Sequence, residues 1–128
     1  MNKVLVVEDH ADIRRLIHLT LEFEDWTVHE ATTARIGLAA AAQLQPDLIL
    51  ADVMMPGDLS GLDMCRELKR QPGTSHIPVV ILSACGQQAD RDRGIAAGAE
   101  AYLAKPFSPL QLIELIDQLV HRRKEAAV

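Results

Sequence analysis

Residues 47–56 read DLILADVMMP. After Asp47 come four apolar residues, 48–51, which run straight into Asp52. Val53, Met54, Met55 and Pro56 close the stretch. An apolar run without alternation is what a strand needs when both of its faces are covered. Such a strand has no reason of its own to end in a bare carboxylate. Either Asp52 forms a turn, or something uses its charge.

Outward from this stretch the same pattern recurs. Short runs stand at 3–7 (KVLVV), 27–31 (TVHEA), 47–51 (DLILA), 77–83 (IPVVILS) and 101–105 (AYLAK). Helical periods lie between them. Ile13, Leu16, Ile17, Thr20 and Leu21 share one face, and residues 34–45 are alanine-rich. Residues 61–70 carry Leu62, Cys65 and Leu68. The stretch 87–100 predicts a fourth helix, weakened by Gly94 and Gly98, with Ile95 its one bulky apolar residue. Ser108 and Pro109 suit a helix start. Leu112, Ile113, Ile116, Leu119 and Val120 then form one stripe. Strand and helix alternating five times argue for an α/β fold, a parallel sheet sandwiched by helices.

Composition sets the bounds. The chain has 128 residues, enough for one domain with a real core. It is 48% hydrophobic and 24% charged, with a net charge of −5, so no basic excess suggests nucleic-acid binding. Its two cysteines, Cys65 and Cys85, make neither a disulfide framework nor a zinc pattern. No apolar run approaches the roughly 20 residues of a membrane span, and none reads as a signal peptide. A cytoplasmic protein is expected.

In open parallel sheets, ligands bind beyond the carboxyl ends of the strands. Strand one runs into Glu8 and Asp9, strand three into Asp52, strand four into Ser83 and strand five into Lys105. Three carboxylates, a hydroxyl and an ammonium therefore share one rim. Each has an ordinary explanation: Asp9 a helix cap, Asp52 a turn residue, Ser83 a cap, Lys105 a solvated charge. Those explanations do not say why all of them fall on the same rim. Clustered carboxylates repel unless a cation intervenes. Carboxylates with room for water suit magnesium. A carboxylate can also act as nucleophile toward phosphorus, in chemistry that needs mainly positioning and charge neutralisation.

At these residues the sequence resembles the receiver domain of bacterial two-component response regulators. KVLVVEDH, PDLILADVMMP, IPVVILSA and GAEAYLAKPF carry the likeness, which covers essentially the whole chain. The resemblance implies a flavodoxin-like (βα)5 fold with strand order 2-1-3-4-5. It makes Asp52 the phosphoacceptor and implies Mg2+ held by Glu8, Asp9, Asp52 and the backbone carbonyl of Met54, with Glu8 acting largely through water. Lys105 would pair with the phosphoryl group, and Ser83 would hydrogen-bond it and shift on activation. Tyr102 would turn with Ser83, and the Lys105–Pro106 bond would be cis. The implied donor is a histidine kinase or histidine phosphotransfer protein. The protein would not be an enzyme in the ordinary sense. Residues 1–124 would form the receiver and 125–128 a tail, with no effector domain. Output would come through protein contact, without direct DNA binding.

There are departures from the family pattern. The loop over residues 57–60 carries one extra residue beside the site. The spacing to Pro56 is normal. Cys85 and Gly86 follow Ser83, and the resemblance implies that Cys85 stands where a side chain influences phosphoryl lifetime. Leu115 and Asp117 stand where a winged-helix regulator would place basic dimer contacts, so a monomer or weak dimer is expected. The tail HRRKEAAV reads as a solvated helix end. A dehalogenase-type phosphatase would need a second aspartate where Met54 stands, and a flavin-binding phosphate loop would not read EDHAD. A phosphate sink or relay, or a receiver that binds partners without being phosphorylated, are the remaining alternatives.

Overall fold

The computed structural model describes residues 2–55, 57–84 and 88–126. Pro56, Cys85 and Gly86, singled out above, lie outside the described residues, as do the side chains of the 121–128 tail.

Five strands and five helices alternate. They are β1 (Lys3–Val7), α1 (Ala11–Phe23), β2 (Thr27–Ala31), α2 (Ala34–Leu44) and β3 (Leu48–Asp52). The second half holds α3 (Gly61–Arg70), β4 (Val79–Ser83), α4 (Gln88–Ala96), β5 (Ala101–Ala104) and α5 (Pro109–Ala126). All pairings are parallel, and the order across the sheet is β2-β1-β3-β4-β5. This is the doubly wound flavodoxin-like fold the sequence predicts.

The unbroken apolar runs are explained by two cores, one on each face of the sheet. Leu5, Val7, Ile49, Ala51, Val79 and Ile81 pack with Met64, Cys65 and Leu68 of α3 and Ala34 and Ala41 of α2. Their neighbours Val4, Val6, Leu48, Leu50, Val80 and Leu82 pack with Ile17 and Leu21 of α1 and Leu112, Ile116 and Leu119 of α5. Successive residues of a strand point to opposite faces, so a central strand flanked by helices on both sides must be apolar throughout.

The boundaries differ in places, for local reasons. Asp47 stays outside β3, and its carboxylate accepts the backbone N–H of Lys3 at 2.8 Å. β4 begins at Val79 rather than at residue 77. Ile77 N–H turns back to the carbonyl of Thr74 at 3.1 Å, and Pro78 has no N–H for a ladder. α4 stops at Ala96 because Gly98 takes a φ of 97°. Ala99 N–H then reaches the Gly94 carbonyl at 3.0 Å and Gly98 N–H the Ile95 carbonyl at 2.9 Å, the pairing of a left-handed helix stop. α5 starts as expected: the Ser108 hydroxyl accepts from Gln111 N–H at 3.1 Å and the Gln111 side chain accepts from Ser108 N–H at 2.8 Å. Among the described residues no helix is long and apolar enough to cross a membrane.

Candidate functional site

The ordinary explanations for the rim residues do not hold. The N-cap of α1 is His10, not Asp9. Asp52 is the last residue of β3, opposite Leu82, and only 4% exposed, so it is no surface turn former. Ser83 is buried at the end of β4, well before α4 begins. The Lys105 side chain is 12% exposed and therefore not a solvated charge.

Three of the strand ends meet directly. The Lys105 Nζ donates to Glu8 Oε1 at 2.7 Å and lies 3.3 Å from Asp52 Oδ1. Glu8 is fully buried, and its other oxygen accepts the backbone N–H of His10 at 3.3 Å. Asp9 Oδ1 is buried yet has no hydrogen-bond partner among the described residues. Donor atoms from Glu8, Asp9, His10 and Asp52 all lie within 4.8 Å of one another. A buried carboxylate oxygen without a donor, inside a cluster of acids, fits a divalent cation chemically. Met54 is 78% exposed, so its side chain is not packed into the rim.

The remaining residues frame the cluster. Ser83 lies one residue past the Asp52–Leu82 register pair, and its carbonyl accepts Lys105 N–H at 2.7 Å. The Lys105–Pro106 bond is cis. Tyr102 lies opposite Ile81 on β5, half-buried, with the Arg91 guanidinium carbon 6.0 Å from its ring centre. Tyr102 is thus on the neighbouring strand and not part of the carboxylate cluster.

Electrostatics follow from burial. Loss of solvent pushes the Glu8 carboxyl above its ordinary range, the Lys105 hydrogen bond opposes this, and the nearby Asp52 charge adds to the rise. The site holds more negative charge than one ammonium balances. Cys65 is a contrast: its thiol donates to the Ala97 carbonyl at 3.4 Å, and burial pushes it up to about 11, so it is a packing group and not a reactive thiol.

Three contributors escape sequence reasoning. Arg14 Nη1 donates to the Glu8 and Asp9 carbonyls at 3.0 and 3.4 Å and so holds the acidic loop in place. Gly61 opens α3 directly over the end of β3, where a Cβ would stand 1.9 Å from the Asp52 carbonyl oxygen. His10 adds a nitrogen to the acidic cluster. The run EDH contains a signal for His10, and Gly61 is visible only as the glycine that closes the family's loop after Asp52; nothing local in the sequence marks Arg14.

A family model for the response regulator receiver domain matches residues 4–117, and the chain belongs to that family. Its members are phosphoacceptors of two-component systems rather than conventional enzymes. The chain is 40% identical over 126 residues to the phosphate regulon transcriptional regulatory protein PhoB of Escherichia coli, covering 98% of this chain and 55% of PhoB. It spans about half the length of the curated relatives it matches. A CheY-like receiver domain protein from Methanospirillum hungatei superposes with a TM-score of 0.90 at 25% identity, covering 98% of both chains. The receiver domain of a Pseudomonas aeruginosa sensor histidine kinase, solved with a magnesium ion coordinated in its active site cleft, gives 0.84 at 28% identity, covering 91% of this chain and 95% of that one.

Proposed function

We propose that Asp52 accepts a phosphoryl group from a histidine kinase or histidine phosphotransfer protein, and that the phosphorylated domain signals by contact with another protein. The observation that carries this is the Lys105 ammonium lying between buried Glu8 and Asp52 beside the partnerless Asp9 oxygen. In the step, a lone pair of an Asp52 carboxylate oxygen forms the new O–P bond. The P–N bond to the donor imidazole breaks, and its electron pair stays on the nitrogen.

Asp9, Asp52 and the Met54 backbone carbonyl would hold Mg2+, with Glu8 acting through water because both of its oxygens are already engaged. When bound, the magnesium supplies charge neutralisation for the carboxylates and the phosphoryl oxygens. Lys105 pairs with the phosphoryl oxygen that its ammonium can reach from Asp52. Ser83 donates its hydroxyl to the same group, which draws the β4 end toward Asp52. Tyr102, beside Ile81 in register, turns into the space this leaves. The new charge and acceptor oxygens supply the differential contacts a switch requires.

Intact-mass spectrometry after incubation with acetyl phosphate and magnesium tests the assignment. One labile phosphoryl adduct is expected, lost with EDTA and absent from Asp52→Asn. An equal adduct on Asp52→Asn contradicts it.

A further inference from the structure

The acidic loop after β1 is pinned from the edge of the sheet as well as from within the rim. The Asp9–His10 peptide group is a rigid plane held at both ends. Its N–H donates to Glu8 Oε2 at 3.3 Å, and its carbonyl accepts from Arg14 Nη1 at 3.4 Å. The same Nη1 donates to the Glu8 carbonyl at 3.0 Å, which fixes the peptide group before it. These two planes flank the Asp9 Cα and set where its side chain points. Asp9 Oδ1 is the buried oxygen without a hydrogen-bond partner among the described residues. Acids this close repel, so without these bonds the loop would tend to open.

Arg14 is itself held from β2. Its Nε donates to Glu30 Oε2 at 3.1 Å. Nε and Nη1 belong to one planar fork, so the Glu30 bond fixes the plane in which Nη1 meets the two carbonyls. The other Glu30 oxygen lies 2.7 Å from His18 Nδ1, and His18 Nε2 lies 3.0 Å from Glu22 Oε2. Both oxygens of Glu30 are thus engaged, which holds its carboxylate in one orientation. The backbone reaches the loop from the same place, since Glu8 N–H donates to the carbonyl of Ala31 at 3.0 Å. Arg14 is half-buried and Glu30 exposed, so their attraction as charges is weak and the geometry of the fork matters more.

We propose that Glu30, on the edge strand, is a positioning residue for the acidic loop, acting through Arg14, and that the α1–β2 edge thereby tunes how tightly the rim binds its cation. The second clause rests on reading Asp9 and Asp52 as the magnesium site; the first does not. Glu30 touches neither the acidic side chains nor any group that would react. Its effect passes through one guanidinium to two backbone carbonyls.

The test is a double-mutant cycle on the full chain, read by calorimetric titration with Mg2+ and by amide hydrogen exchange of His10 N–H in EDTA. Arg14→Ala and Glu30→Ala should each weaken magnesium binding, Arg14→Ala on the order of tenfold. Adding Glu30→Ala to Arg14→Ala should cost nothing more, because the first acts only through the second. Glu30→Gln keeps an acceptor for Arg14 Nε and should bind magnesium as wild type does. His10 exchange should quicken in both alanine variants and not in Glu30→Gln. Charge alone predicts a different set: tighter magnesium in Arg14→Ala, and equally weakened binding in Glu30→Ala and Glu30→Gln that persists in the double variant. That set overturns the proposal, as does unchanged His10 exchange in Glu30→Ala. Magnesium binding unchanged in Asp52→Asn defeats the site reading instead, and exchange in EDTA, which needs no metal, still decides the role of Glu30.

Discussion

Gly61 and Gly94 are both buried helix glycines lying over the sheet, and they sit in opposite kinds of space. A Cβ on Gly61 would stand 1.9 Å from the Asp52 carbonyl oxygen and 2.7 Å from its carbon. A Cβ on Gly94 would meet Ile81 Cγ1 at 3.8 Å and Tyr102 Cδ2 at 4.0 Å, ordinary contact distances. The strands repeat the contrast. β3 is buried at every position, whereas β5 is half-buried along Ala101–Leu103 and exposed at Ala104. Ile95, the one bulky apolar residue of α4, is 61% exposed. The Asp52 end of β3 is therefore clamped, and the α4–β5 flank is loosely held. Few buried apolar contacts mean a low cost of local opening. Under the proposed function, a nucleophile needs fixed geometry and a signal needs an element that moves, so the two regions would divide those tasks.

The largest effect should come from breaking the clamp. Gly61→Ala forces the start of α3 off the β3 end, because the obstacle is backbone and cannot rotate away. A loss of about 3 kcal/mol is expected in urea unfolding, at the upper end for overpacking. An unchanged midpoint would show that the β3–α3 junction has slack. Metal binding should tighten the same region. At magnesium a hundred times its Kd, wild type should gain about 2.7 kcal/mol of stability. Asp9→Asn at the same concentration should gain far less in thermal melts with and without EDTA. Identical responses would remove Asp9 from the ligands.

The loose flank should respond with the opposite sign. Gly94→Ala places a methyl where there is room and removes backbone entropy from the unfolded chain. It should stabilise by about 0.5–1 kcal/mol. Destabilisation would mean that α4 lies as tightly on Ile81 as α3 does on Asp52. The smallest effect is on the α1–β2 edge. His18 Nδ1 lies 2.7 Å from Glu30 Oε1 and Nε2 lies 3.0 Å from Glu22 Oε2. The Glu30 hydrogen bond chiefly raises its pKa above 6.5, Glu22 adds to this, and partial burial opposes it. A raised imidazole pKa contributes stability that is complete below the unfolded value and is lost as pH rises through the folded one. Between about pH 6 and 8, wild type should therefore lose slightly more melting temperature than His18→Gln. The pair is solvated, so the difference is small. Proton NMR titration of His18 checks the direction of the shift, and an unshifted imidazole contradicts it.

Much of this division is legible in the sequence. The runs at 4–7 and 48–51 read as strands because covering both faces removes every polar residue from them. Asp52, Glu8, Asp9 and Lys105 read as a site because strand order sends their carboxyl ends to one rim. What the sequence hides is approach in space. Glu8 and Lys105 form their ion pair across 97 residues, and Gly61 is required only because α3 descends on the Asp52 carbonyl. Arg14 looks like one more polar helix residue until its guanidinium meets the carbonyls of the acidic loop. Ile95, the one bulky apolar residue of α4, faces outward, while Gly94 and, just past the helix, Ala97 are buried.

The link between the clamped end and the loose flank is tested most directly by backbone NMR with beryllofluoride and magnesium as a phosphoryl mimic. Shifts are expected from Asp52 through residues 83–105 and into the start of α5, with Asp52→Asn showing none of them. Ser83→Ala should shrink this footprint while leaving magnesium binding intact. Shifts confined to the loops touching Asp52 in wild type would contradict a switch on the α4–β5 flank and favour a domain that only stores or passes on phosphate.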